Sequence, residues 1–312
     1  MADSDKLPPL KPPTTFEEQV QILKDRNMIV NDESFAVNVL RRVNYYRLSG
    51  YMLSFKVGDV FKDGTTFEQV FGVYEFDQKL RNLMSGLLER IEIAARTSIA
   101  YHLAHTYGAL CYEDSSLFQQ PKRHPTFLSS LNKFIDDARR GHELFVEHHD
   151  AKYAGRLPIW SIVELMSFGT LSLLYANLKP SDRKRISVGY FGVPQFYLRS
   201  WLRALSHVRN VCAHHSRIYN KRLTITPELF PDDKERLRNS RIFAAIFVLG
   251  MLCPDNSDWS SFETSLEALI DEYVDVIELE RIGFPPDWRN LLRDTVSTRI
   301  FSAETRRLRM HL

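Results

Sequence analysis

One stretch constrains this chain more than any other: FEQVFGVYEFDQKLRNLMSGLLERIEIAARTSIAYHLAHTYG, from Phe67 to Gly108. Phe67, Phe71 and Tyr74, then Leu80, Leu83, Met84, Leu87, Leu88 and Ile91, recur at steps that gather side chains on one side of an α-helix. Thr65 with Glu68 makes a capping-box pattern that predicts the helix start, and Gly86 is a candidate point of bending. So long an apolar stripe needs other helices to cover it.

The rest of the chain supplies them. Four prolines within residues 8–13 make residues 1–14 an extended lead. Thr15 with Glu18 caps FEEQVQILKDR, and Asp32 caps ESFAVNVLRRV, which predicts two short helices joined by a turn. In the second, Phe35, Val37, Val39, Leu40 and Val43 suit packing better than DNA reading. In NYYRLSGY, Tyr45, Tyr46, Arg47 and Tyr51 are expected to lock these helices down. Gly58-Asp59 and Asp63-Gly64 mark turns and one weak hairpin. Further helical patterns cover about Thr126 to His149, Trp160 to Leu178, Pro194 to His215, Asp232 to Leu252 and Ser261 to Leu279. The only other strand candidate is RLTIT, Arg222 to Thr226, so the predicted class is an all-α bundle: an N-terminal helical extension over 15–64 and the bundle over 65–312.

Several function classes are excluded or unsupported. There is no Walker loop, dinucleotide-binding turn or nucleophile elbow. HELFVEHHD fails the zinc-helix pattern because position 146 is Val, and PDDKE starts a helix with acids suited to its dipole. The acids from Glu263 to Glu280 form the wet face of a helix. No metal or cofactor is therefore expected. Cys111, Cys212 and Cys253 form no CxxC pair, the N-terminus has no apolar signal region, and the run Ile242 to Leu252 falls short of the roughly 20 residues a bilayer needs. The expectation is a cytoplasmic protein with no membrane partner.

Charge singles out one region. The whole chain carries only +2, from 41 Lys plus Arg against 39 Asp plus Glu. Between Lys179 and Arg222, however, ten basic residues face one acid, Asp182, a local charge of +9. That is a footprint for a polyanion if half of it shares a surface. At about 100° per residue, Leu198, Trp201, Leu205, Val208 and Cys212 make one apolar stripe, while Arg199, Arg203, His207, Asn210 and His214 make an opposite, acid-free one. Arg209, five residues before His214, sits about 140° away from it on an ideal helix. Either the helix distorts near Ala213 or a second copy of the motif faces the first.

Arg209 to His214 reads RNVCAH, the R-x4–6-H signature of HEPN-domain proteins. The chain also resembles the AbiD/AbiF-like (Abi_2) abortive-infection family of bacterial phage-defence proteins. The resemblance lies in KPPTTFEEQVQILKDRNM, NYYRLSGY, YEFDQKLR, ERIEIAARTSIAYHLAHTYG, LPIWSIVELMSFGTLSLLYANL and RSWLRALSHVRNVCAHHSRIYN, in family order over about residues 11–222. It implies a HEPN-like helical bundle acting on RNA in an anti-phage or toxin–antitoxin setting; some relatives associate with a small structured RNA. HEPN toxins regulated by nucleotidyl transfer usually carry Tyr two residues after the His. Here Ser216 stands in that place, which argues against that control.

The expected function is a metal-independent endoribonuclease cleaving by 2′-OH attack. His214 would serve as general acid or base, Arg209 would stabilise phosphate charge and Asn210 would orient the scissile group. Arg199, Arg203, His207, His215 and Arg217 would bind RNA. His215 fits a core or capping role better than catalysis, and Arg96, in an i,i+4 pair with Glu92, joins the site if it lines the cleft. A homodimer with two Asn210/His214 faces along one cleft is expected. The alternative is a non-catalytic HEPN-type protein that holds a small structured RNA.

Overall fold

A computed structural model describes residues 10–295, and their fold is all-α apart from one small hairpin. Two compact units divide the chain. Of the described residues, one unit holds 10–77 together with Tyr273–Ile277, and the other holds Gln78–Glu272 and 278–295.

In the first unit, residues 10–15 form no helix. α1 (Phe16–Asp25) starts on the expected capping box: Glu18 N–H donates to Thr15 Oγ1 (3.1 Å) and Thr15 N–H to Glu18 Oε2 (2.7 Å). α2 (Glu33–Arg42) is capped by Asp32, which accepts from Phe35 N–H at 2.9 Å. α3 (Tyr45–Met52) is capped by Asn44. Tyr51 is buried, donates to Asp77 Oδ2 at 2.6 Å and packs edge-on against Tyr74. It thereby ties α3 to the first turns of the long helix, the locking role its motif suggested; Tyr46 by contrast is exposed. β1 (Lys56–Val57) and β2 (Val60–Phe61) pair antiparallel around Gly58, whose φ of +62° is the left-handed backbone that glycine tolerates best.

α4 (Phe67–Tyr107) is the long helix and runs unbroken through Gly86. Its capping box is Thr66 with Gln69, each side chain accepting from the other's N–H at 3.0–3.1 Å, one residue later than the expected Thr65 with Glu68. Thr65 is unsuited because it is buried and its carbonyl accepts from Ile29 N–H. The first unit extends past residue 64 because Phe35 packs its ring on Phe67 and Phe71.

In the second unit follow α5 (His124–Arg140), α6 (Leu144–Tyr153), α7 (Ile159–Leu165), α8 (Phe168–Asn177), α9 (Pro180–Ile186) and, after a π turn over Ser187–Phe191, α10 (Gln195–Ala213). α11 (Pro231–Arg236), α12 (Ile242–Leu252) and α13 (Asn256–Glu272) come next, and residues 288–295 are again helical. Three long predicted patterns are split. The first breaks at His142, whose φ is +56°, the second at Ser167, which caps α8 through Thr170 N–H, and the third between α11 and α12. RLTIT is a loop, in which Leu223 N–H bonds Ser240 O rather than a partner strand. All eleven residues of α12 are buried. No described helix is long and apolar enough to cross a membrane.

α10 is positioned from several sides. Its stripe Leu198, Trp201, Leu205, Val208 and Cys212 is entirely buried, and it packs on α8 and α12. Trp201 Nε1–H donates to Glu228 O (2.6 Å) and Glu228 N–H to Ser200 Oγ (2.8 Å), which clasps the following loop to the helix. Ahead of it, buried Asp182 accepts from the Tyr107 hydroxyl and lies 2.9 Å from His102 Nε2, pinning α9 to the end of α4. Burial and that carboxylate push the Tyr107 hydroxyl pKa up.

Candidate nucleic-acid interface

The polar stripe of α10 emerges as the sequence spacing requires. Arg199, Arg203, Asn210 and His214 are exposed and His207 is half-buried. His207 Nε2 lies 3.0 Å from Thr224 Oγ1 in the loop. Burial, then Lys221, holds its pKa below the usual 6.5. Of the ten basic residues counted between Lys179 and Arg222, Arg183 alone is buried; its guanidinium donates to Gln195, Gln119 and the Ala176 carbonyl. The other nine reach the surface at least in part.

The helix stops at the motif. Ser216 N–H bonds Val211 O and His215 N–H bonds Cys212 O, a Schellman termination with His215 at the left-handed position, φ +54°. His215 is thus an exposed capping residue, in line with the capping role the sequence favoured. His214 is the C-cap, yet its N–H still bonds Asn210 O at 2.9 Å, so its Cα stays on the helical spiral. The separation of about 140° from Arg209 therefore persists. The His214 imidazole makes no hydrogen bond among the described residues. Arg217 lies half-buried in the loop beyond.

Arg209 turns the other way, toward α4. Its Nε lies 3.4 Å from Glu92 Oε2. Glu92 is buried, and its second oxygen accepts from Arg96 Nη2; Arg96, also buried, donates Nη1 to the Val163 carbonyl. That carbonyl belongs to the last turn of α7 and also accepts from Met166 N–H at 3.2 Å. The Glu92–Arg96 pair is therefore no surface ion pair. It is a buried bracket joining α4, α7 and α10, with Arg209 as its exposed end: that side chain is 44% accessible, against 9% for Glu92. Arg96 belongs to this constellation but behind Arg209 rather than on the open face.

Sequence reasoning missed the bridge because Glu92 and Arg209 are distant in the chain; the ERIEIAARTS block is the one hint. The three titratable types of the site make a local balance of two cations and one buried carboxylate, with imidazoles alongside. Such a surface offers cations that can grip a phosphate and imidazoles that can carry protons. Among the described residues no group of three His, Cys, Asp or Glu side chains is placed to hold a metal.

Fold and site together define an all-α protein with a basic helix face ending in an R-x4-H motif. The sequence matches the Abi-like protein family over residues 38–220, more than half of its 312 residues, and the chain belongs to that family. Membership places it with abortive-infection defence. No match to a curated protein or to a solved structure accompanies this one.

Proposed function

We propose that this protein is an endoribonuclease of abortive-infection defence that cleaves RNA without a metal at the Arg209, Asn210 and His214 end of α10. The Glu92 bridge carries the reading. A guanidinium that merely solubilised a helix end would gain little from being held. One that must meet a phosphate oxygen benefits from a fixed position, and Arg209 sits in an ion pair with buried Glu92, 3.4 Å at its nearest approach, while 44% of its side chain stays accessible.

In the reaction His214 takes the ribose 2′-OH proton as O2′ attacks phosphorus. The O2′–P bond forms, the P–O5′ bond breaks, and O5′ leaves with a proton. The products are a 2′,3′-cyclic phosphate and a 5′-hydroxyl. Arg209 Nη groups and Asn210 bear the charge of the pentacoordinate centre. Since Arg209 and His214 point apart on one helix, the proposed active form is a homodimer, in which His214 of the partner subunit protonates O5′.

Labelled RNA incubated with the protein in excess EDTA tests this. Cleavage leaving 2′,3′-cyclic phosphate ends is expected, and His214→Ala should lower the rate by about 100-fold or more while RNA binding and fold persist. Binding without cleavage by the wild type would replace the enzyme with an RNA-holding protein.

A further inference from the structure

Within the unit that carries α10, a cavity of about 630 Å³ opens between the start of α5, α8 and the first half of α10. Lys122 and Arg123, from the turn Pro121–Arg123, face it together with Arg199 and Arg203; its one acid is Glu228. All four cations are exposed, and none has an ion-pair partner among the described residues. Elsewhere in this unit, exposed arginines such as Arg139, Arg236 and Arg289 are matched by carboxylates. Glu228 leaves the cations unneutralised, because its carboxylate lies 3.4 Å from Lys234.

Three phenylalanines, Phe118, Phe127 and Phe196, are among the lining residues. Phe196 is 51% accessible at the rim, with the Arg199 guanidinium 5.9 Å from its ring centre. Phe118 and Phe127, with ring centres 5.9 Å apart, lie on the α5 side. An inorganic anion would use the cations but has no need of the rings, and an apolar ligand would leave four unpaired charges around it. A nucleotide uses both, its base against aromatic faces and its phosphate among guanidiniums. The volume is that of an ordinary small-molecule site, about 300–1,000 Å³.

We infer that this cavity is a nucleotide-binding site, taking an unpaired base against the phenylalanine rings and its phosphate on Arg123, Arg199 and Arg203. The inference rests on the endoribonuclease reading only for the source of the nucleotide. Arg203 and His214 are roughly 16 Å apart along the helix axis, so one RNA strand reaches from the cavity to the cleaving end.

Calorimetric titration of the full chain with AMP, UMP, inorganic phosphate and a short 2′-O-methyl RNA, which resists 2′-OH attack, tests it. One mononucleotide per chain is expected to bind. Phe196→Ala should weaken it about tenfold, and Arg123→Ala with Arg199→Ala at least about tenfold; all three side chains are exposed, so the fold is not at stake. Displacement of the RNA by AMP would support a nucleotide within a strand. AMP and RNA binding without competition, with Phe196→Ala weakening AMP alone, would support a free nucleotide. Absence of saturable nucleotide binding would overturn the inference, as would phosphate competing as well as AMP with no effect of Phe196→Ala. Wild-type cleavage without nucleotide binding would remove this site alone. Nucleotide binding without cleavage would remove the ribonuclease alone.

Discussion

Arg209 joins two demands in one side chain, since it pairs with buried Glu92 while 44% of it stays accessible. Its link to the rest of the fold runs through Glu92 on α4. Arg209→Ala should cost only about 1 kcal/mol, because the pair is part-exposed and Glu92 keeps Arg96. Glu92→Ala should cost about 3 kcal/mol or more by stranding the buried Arg96 charge. Denaturant midpoints give the order, and a costlier Arg209→Ala would count against the bracket. At His207 the sign follows from a folded-state pKa below its usual 6.5. The folded protein favours the neutral ring, so the stability tied to it is present above about pH 6.5 and is lost as pH falls through the lowered value. Relative to His207→Gln, the wild type should therefore lose urea resistance between pH 7.5 and 5.5, and a constant difference would contradict the shift.

At the scale of elements, α10 carries Arg199 and Arg203 in its first half and the R-x4-H motif at its end. Arg199→Ala with Arg203→Ala should weaken RNA binding and flatten the slope of log affinity against log salt by up to about 1.4 for a single strand. An unchanged slope would put both arginines off the RNA path. α12 has the opposite character, buried at every residue. A Cβ at Gly250 would lie 2.6 Å from the Trp259 ring and 2.9 Å from Thr295 Oγ1, on a large buried side chain with no room to yield. Gly250→Ala should cost about 1–3 kcal/mol in thermal or denaturant unfolding. A neutral result would mean the α12–α13 packing yields more readily than its burial suggests.

For the whole molecule the decisive question is the number of chains per cleft. One subunit points Arg209 at α4 and His214 at the surface, so an isologous pair is the simple way to set both beside one phosphate. Mixing Arg209→Ala with His214→Ala protein should partly restore cleavage if one intact pair suffices per cleft, and RNA should favour the dimer in sedimentation. A fully active monomer, with and without RNA, would overturn the dimer.

The amino-acid order alone determined the helical class, the caps Thr15 and Asp32, and the two opposite stripes of α10. Each follows from spacing within a few residues, where helical geometry leaves little choice. Local rules failed where neighbours compete. Thr65 lost its cap to Thr66 because distant Ile29 bonds its carbonyl, and RLTIT stayed a loop for want of a partner strand. Arg183 looked like one more surface cation, yet three acceptors from different segments bury it. Arg209, Asn210 and His214 were legible as a motif. That Glu92 holds Arg209, and that Arg123 and Arg199 line one cavity, depended on folding, because these residues are far apart in the chain and only packed helices bring them to one site.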